Sequence, residues 1–81
     1  MKMQDEYFKT SDICLAAFLL TKGINFVGIN KDSSKRATFL FTRNNECQSL
    51  VDDFSQMQAS VEPLSFHNAM KRLKQLLYLN G

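Results

Sequence analysis

Three cations, Lys71, Arg72 and Lys74, fall within four residues near the end of the chain. That density of positive charge could neutralise the phosphates of a nucleic-acid backbone. Their geometry decides how well. At about 100° per residue, Phe66, Ala69, Met70, Leu73, Leu76 and Leu77 share one arc of roughly 120°, which is a core face. His67, Lys71, Lys74, Gln75 and Tyr78 take the opposite arc. Arg72 and Lys74 flank the apolar stripe about 160° apart, so the cations are spread rather than ridged. Charges on the wet side of an amphipathic helix usually do no more than solvate it. That reading leads here, and phosphate contact by Lys71 and Lys74 follows it.

A second basic group, Lys31, Lys35, Arg36 and Arg43, clusters at or near the tip and far end of "KDSSKRATFLFTR". Phe39 and Phe41 alternate there with arginines at either end, as in a base-stacking strand. The same alternation sends Phe39, Phe41 and Ala37 to one face and Arg36, Thr38, Leu40 and Thr42 to the other. Two aromatics on one face of a short sheet are more simply a core beneath helices. The exposed basic loop is then the better polyanion contact.

Catalytic chemistry finds no constellation. His67 lies on a polar helical face, where it is solvated. Cys47 falls on an apolar stripe, without the cationic, exposed setting of a reactive thiol. Asp52 and Asp53 diverge by about 100° on a helix and do not converge on a metal or a bond. The three glycines are scattered, so no phosphate-cradling loop forms. The sequence predicts a protein that is not an enzyme and needs no cofactor or metal.

The elements that must carry these groups follow from pattern. Eighty-one residues allow one core, and 44% apolar with 22% charged residues places the chain among globular rather than disordered proteins. A net charge of +2 is too weak to make the whole molecule a polyanion binder, so such binding would need a local patch. The longest apolar run, Ile13 to Leu20, is far short of a membrane span, and Gln4, Asp5 and Glu6 after Met1-Lys2 lead us to expect no signal peptide. Cys14 and Cys47 stand far apart among apolar neighbours, without ligand spacing, which points to a reducing cytoplasm.

Residues 1–9 read as a tail whose aromatic end, Tyr7 and Phe8, packs down onto a single domain over 10–80. "KTSDICLAAFLLTKG" reads as a helix capped by Thr10 or Ser11, with Asp12 in its first turn and Gly23 as its stop. "INFVGIN" and "RATFLFT" form a hairpin, with Gly28 marking a bulge or a close approach. "NNECQSLVDDFSQMQ" is a helix capped by Asn44 or Asn45, with Cys47, Leu50, Val51, Phe54 and Met57 in one stripe. "ASVEPL" is extended, because Pro63 disfavours helix at Glu62, and forms either a third short strand or a crossover. Ser65 caps the closing helix. The fold class is α+β, in the order α-β-β-α-(β)-α.

The first helix is apolar on two sides. Ile13 and Leu20 project one way, and Leu15, Phe18 and Leu19 nearly the other. Such a helix is either sandwiched in the core or partly a surface for a partner or a second copy. Leu15, Phe18 and Leu19 are the candidate apolar anchors in the latter case.

The run "KTSDICLAAFLLTKG", a strand ending in "ATFLF", and "VEPLSFHNAMKRLKQLLY" resemble a small uncharacterised domain family of bacteria and phages. The matching positions are Thr10, Ser11, Asp12, Leu15, Ala16, Ala17, Leu73 and Lys74, across residues 8–79. These are capping and core positions, so the resemblance implies a shared fold and transfers no site. It suggests a phage or mobile-element accessory or counter-defence factor. The expectation is a cytoplasmic adaptor or inhibitor that docks on a protein or protein–nucleic-acid assembly, not on a membrane. The first helix would anchor it, and Lys31, Lys35, Arg36, Arg43, Lys71 and Lys74 would orient it. The alternatives are a direct nucleic-acid-binding module using those cations, and a structural homo-oligomer.

Overall fold

The computed structural model describes residues 7–31 and 37–80. Its elements are β1 (Tyr7–Thr10), α1 (Ile13–Thr21), β2 (Phe26–Lys31), β3 (Ala37–Thr42), α2 (Asn45–Ser55) and α3 (Pro63–Asn80). The strands form one antiparallel sheet in the order β1-β3-β2. The fold class is α+β, as expected. The third strand is elsewhere than expected.

"ASVEPL" is not a strand. The sheet is completed instead by Tyr7–Thr10, the end of the supposed tail together with the supposed cap Thr10, which pairs along β3 from Tyr7 opposite Thr42 to Thr10 opposite Phe39. This pairing puts Phe8 beside Phe41 on the covered face. Four residues are too few to display a period of two convincingly, and their partner lies some thirty positions away in sequence. Ala59 and Val61 meanwhile pack against the core, so that segment crosses over the domain.

α1 begins at Asp12, not at Thr10 or Ser11. Asp12 Oδ1 accepts the backbone N–H groups of Cys14 (2.9 Å) and Leu15 (3.4 Å), while the Thr10 hydroxyl accepts from the Asp12 N–H (3.1 Å). Such a cap contributes about 1 kcal/mol. The helix ends at Gly23, whose φ of +84° lets the Ile24 N–H return to the Leu19 carbonyl (3.2 Å). Both Ile24 and Leu19 are buried, so the turn closes with an apolar contact layer.

Ala16, Ala17, Phe18 and Leu19 are all buried, so no side of this turn faces water. α1 is therefore sandwiched. It packs on α3 and on α2, and no comparable contact joins α2 to α3 among the described residues. The two alanines allow close approach, while the Phe18 and Phe54 rings lie 5.6 Å apart across α1 and α2. Phe39 and Phe41 from the sheet, Cys47 from α2, and Ala69 and Leu73 from α3 complete the core.

α2 is capped by Asn44, whose Oδ1 accepts the Cys47 N–H (2.7 Å). α3 starts before Ser65. Glu62 caps it, with Oε2 accepting from the Leu64 N–H (3.0 Å) and Oε1 from the Ser65 N–H and hydroxyl (both 2.9 Å). Pro63 suits the first helical position, where its missing N–H costs nothing and its fixed φ is already helical. Val61 and Phe66 flank this cap and both pack on the core, the positions of a hydrophobic staple.

Candidate interaction surface

Among the described residues the sheet is covered on one face only. Phe8, Phe26, Ile29, Phe39 and Phe41 turn to the helices, and the Phe26 and Phe41 rings sit 5.3 Å apart. By the strand alternation, Tyr7, Lys9, Asn30, Thr38, Leu40 and Thr42 take the opposite face. Tyr7 is 43% exposed, and neither it nor Leu40 belongs to the core cluster.

A bulge adds Val27 to this surface. Phe26 opposes Phe41 and Gly28 opposes Leu40, so Val27 is an extra residue with no place in the ladder, 44% exposed. Gly28 adopts φ +157° there, which L side chains rarely take. One end of the face is tied by Asn25, whose Nδ2 donates to Thr42 Oγ1 (2.9 Å) while its carbonyl accepts the Thr42 N–H (3.0 Å). The result is an apolar centre of Tyr7, Val27 and Leu40 within hydroxyl, amide and ammonium groups. The described strands contain Lys9 and Lys31 but no carboxylate.

The residues singled out from sequence are dispersed. Lys31 lies on the covered side of β2, and its Nζ donates to the Leu77 carbonyl (3.5 Å), a cation near the negative end of α3. Lys35 and Arg36 lie outside the described residues. Arg43 is exposed beyond β3, at the end of the sheet opposite Lys31. Lys71 and Lys74 are exposed on α3. The hairpin and closing helix therefore meet at Lys31 and Leu77, without gathering all the cations into one patch.

The anchors expected on α1 do not form a surface. Phe18 and Leu19 are buried in the chain's own core, and Leu15 is half-buried against it. The reason is the sandwiching of α1, which periodicity within that helix alone left open. The sequence did place Leu40 opposite Phe39 and Phe41, but Tyr7 and Val27 were missed. Their only signal was an aromatic in a short polar stretch and a glycine beside a valine.

Two further features complete the surface. A shallow groove of about 350 Å³ runs between the end of α1 and the start of α3, lined by Leu20, Thr21, Ser65, Asn68, Ala69 and Arg72. The cysteines are free, Cys14 exposed and Cys47 buried, so only Cys47 has the apolar setting expected of both. Burial pushes the Cys47 thiol pKa up, against the opposing influence of Arg43 and of the Asn44 hydrogen bond. Among the described residues no helix is long and apolar enough to cross a membrane.

No curated protein and no solved structure matches the chain. The family model described as Domain of unknown function (DUF5659) matches residues 5–79, from just before β1 to the last turn of α3, and the chain belongs to that family.

Proposed function

We propose that this protein is a non-enzymatic interaction module that docks, in the cytoplasm, through the uncovered face of its sheet. Its partner is a protein surface that is apolar at the centre and acidic at the rim. The observation that supports this reading is the composition of that face. Tyr7, Val27 and Leu40 form an apolar centre, Lys9 stands beside it, and the described strands hold no carboxylate. An apolar middle within a polar rim is the usual anatomy of a protein interface, and charge complementarity then selects and orients the partner. The two unpaired cysteines suit a reducing compartment.

A displayed library of random peptides, selected on the intact chain, tests the proposal. Enriched peptides should combine aliphatic or aromatic residues with flanking Asp or Glu. They should lose at least about tenfold in affinity on a folded Leu40→Lys variant and keep it on Lys71→Glu/Lys74→Glu; a tenfold loss corresponds to about 1.4 kcal/mol. Peptides indifferent to Leu40→Lys would overturn the reading. So would tight binding of single-stranded DNA, duplex DNA or RNA in an anisotropy titration that collapses between about 50 and 200 mM salt, because that outcome assigns the surface to phosphates.

A further inference from the structure

The helical layer is charged in opposite senses on its two flanking helices. α2 carries Glu46, Asp52 and Asp53 and no cation, whereas α3 carries Lys71, Arg72 and Lys74 and no carboxylate. α1 contacts both helices, which among the described residues make no comparable contact with one another, and it therefore separates the two charges. None of these six side chains forms an ion pair within the described chain; Asp52 accepts only from Gln48 Nε2 (3.2 Å).

The orientation of α3 sharpens the contrast. Arg72 lines the groove shared with Leu20 and Thr21, so α1 lies on the Arg72 side of the helix. Lys74 is about 160° away around the helix and points to the far side, with Lys71 between them on the outer face. Each helix also exposes apolar surface. Leu64 is 64% and Tyr78 86% exposed on α3, one helical line with Lys71 at spacings of seven residues, while Met57 is 92% exposed just beyond α2.

We infer that copies of this chain associate head to tail, the acidic α2 flank of one against the basic α3 flank of the next. Opposite charges without an ion-pair partner among the described residues attract across the contact, and Met57 meets Leu64 or Tyr78, a thioether against an aromatic or aliphatic surface. Two different patches joined in this way leave one of each free, so the contact propagates rather than stopping at a pair. Exposed charges carry much of the attraction, and the screening length falls from about 10 Å at 0.1 M salt to about 3 Å at 1 M. The association is therefore weak and depends on salt. It is independent of the sheet-face reading.

Sedimentation velocity of the full chain over a hundredfold concentration range tests it. At low salt the weight-average sedimentation coefficient should rise continuously beyond that of a dimer, and at about 1 M salt it should fall to the monomer value. Glu46→Lys/Asp52→Lys makes both flanks basic, and Lys71→Glu/Lys74→Glu makes both acidic. Each variant alone should remain monomeric, and an equimolar mixture should associate again. Circular dichroism confirms that each is folded, and the singly neutralised Asp52→Asn and Lys71→Gln, each expected to weaken association, replace any that is not. Leu40→Lys should leave association unchanged. A wild-type chain that stays monomeric at low salt and high concentration overturns the inference. So does association that ends at a dimer, or that survives both charge reversals.

Discussion

Met57 occupies, at the end of α2, the same left-handed backbone position that Gly23 occupies at the end of α1. Their φ angles are +60° and +84°. At both helix ends the following N–H returns to a carbonyl in the last turn, Gln58 to Asp53 (2.8 Å) and Ile24 to Leu19 (3.2 Å). The hydrogen bonding is alike, but a side chain with a Cβ is strained in this conformation and glycine is not. Met57 has no compensating burial.

Met57→Gly should therefore raise the stability of the domain by about 0.5–1 kcal/mol, the relief of strain exceeding the added freedom of the unfolded chain. Gly23→Ala should lower it by about 1 kcal/mol, through backbone strain alone, since nothing lies within 4 Å of the added Cβ. Urea midpoints of the two variants would move in opposite directions. Equal shifts of the same sign would show that the left-handed cap is not what governs stability at these positions.

The cap of α3 makes a prediction about acid. Hydrogen bonds from the Leu64 and Ser65 N–H groups, and then from the Ser65 hydroxyl, hold the Glu62 carboxyl below the ordinary glutamate pKa. A carboxylate with a lowered folded pKa lends its full stabilisation above the ordinary glutamate range, and loses it as pH falls through the lowered value. Thermal unfolding followed from neutral pH into that acidic range should show a falling midpoint. In Glu62→Gln the midpoint should begin lower at neutral pH and fall less on acidification. Parallel curves for the two proteins would remove Glu62 from the acid response.

Neighbouring residues of β3 should respond in opposite ways to substitution. Phe41 is fully buried against Phe26 and Phe8, so Phe41→Ala should cost roughly 3–5 kcal/mol through lost burial and the cavity left behind. Leu40 faces away from the helices, and Leu40→Lys should cost less than about 1 kcal/mol. Chemical denaturation of both variants measures this. A large loss at Leu40 would mean that its face is covered in the free protein, which would also withdraw it as a docking surface.

The three helices and the hairpin were legible because their signals are local. Asn44 and Gly23 act through hydrogen bonds spanning a few residues, and the alternation of Phe39 and Phe41 with Thr38, Leu40 and Thr42 is carried within one strand. The caps at Asp12 and Glu62 were displaced from their expected neighbours because several adjacent side chains could serve, and only backbone geometry selects among them. Glu62 was also obscured by Pro63, which reads equally as the end of an extended stretch and as the first residue of a helix.

What the sequence by itself determined is therefore the α+β class, most of the elements and the inward-facing aromatics, since each depends on interactions along a short length of chain. Tertiary structure alone decided that Tyr7–Thr10 is a strand, because its pairing with β3 joins segments far apart in sequence. It also decided that the Ala16–Leu19 turn of α1 is enclosed, while Tyr7 and Val27 are exposed and half-buried Leu40 stays outside the core. Whether an apolar residue is core or surface depends on what packs across from it. No periodicity within a single helix or strand records that neighbour.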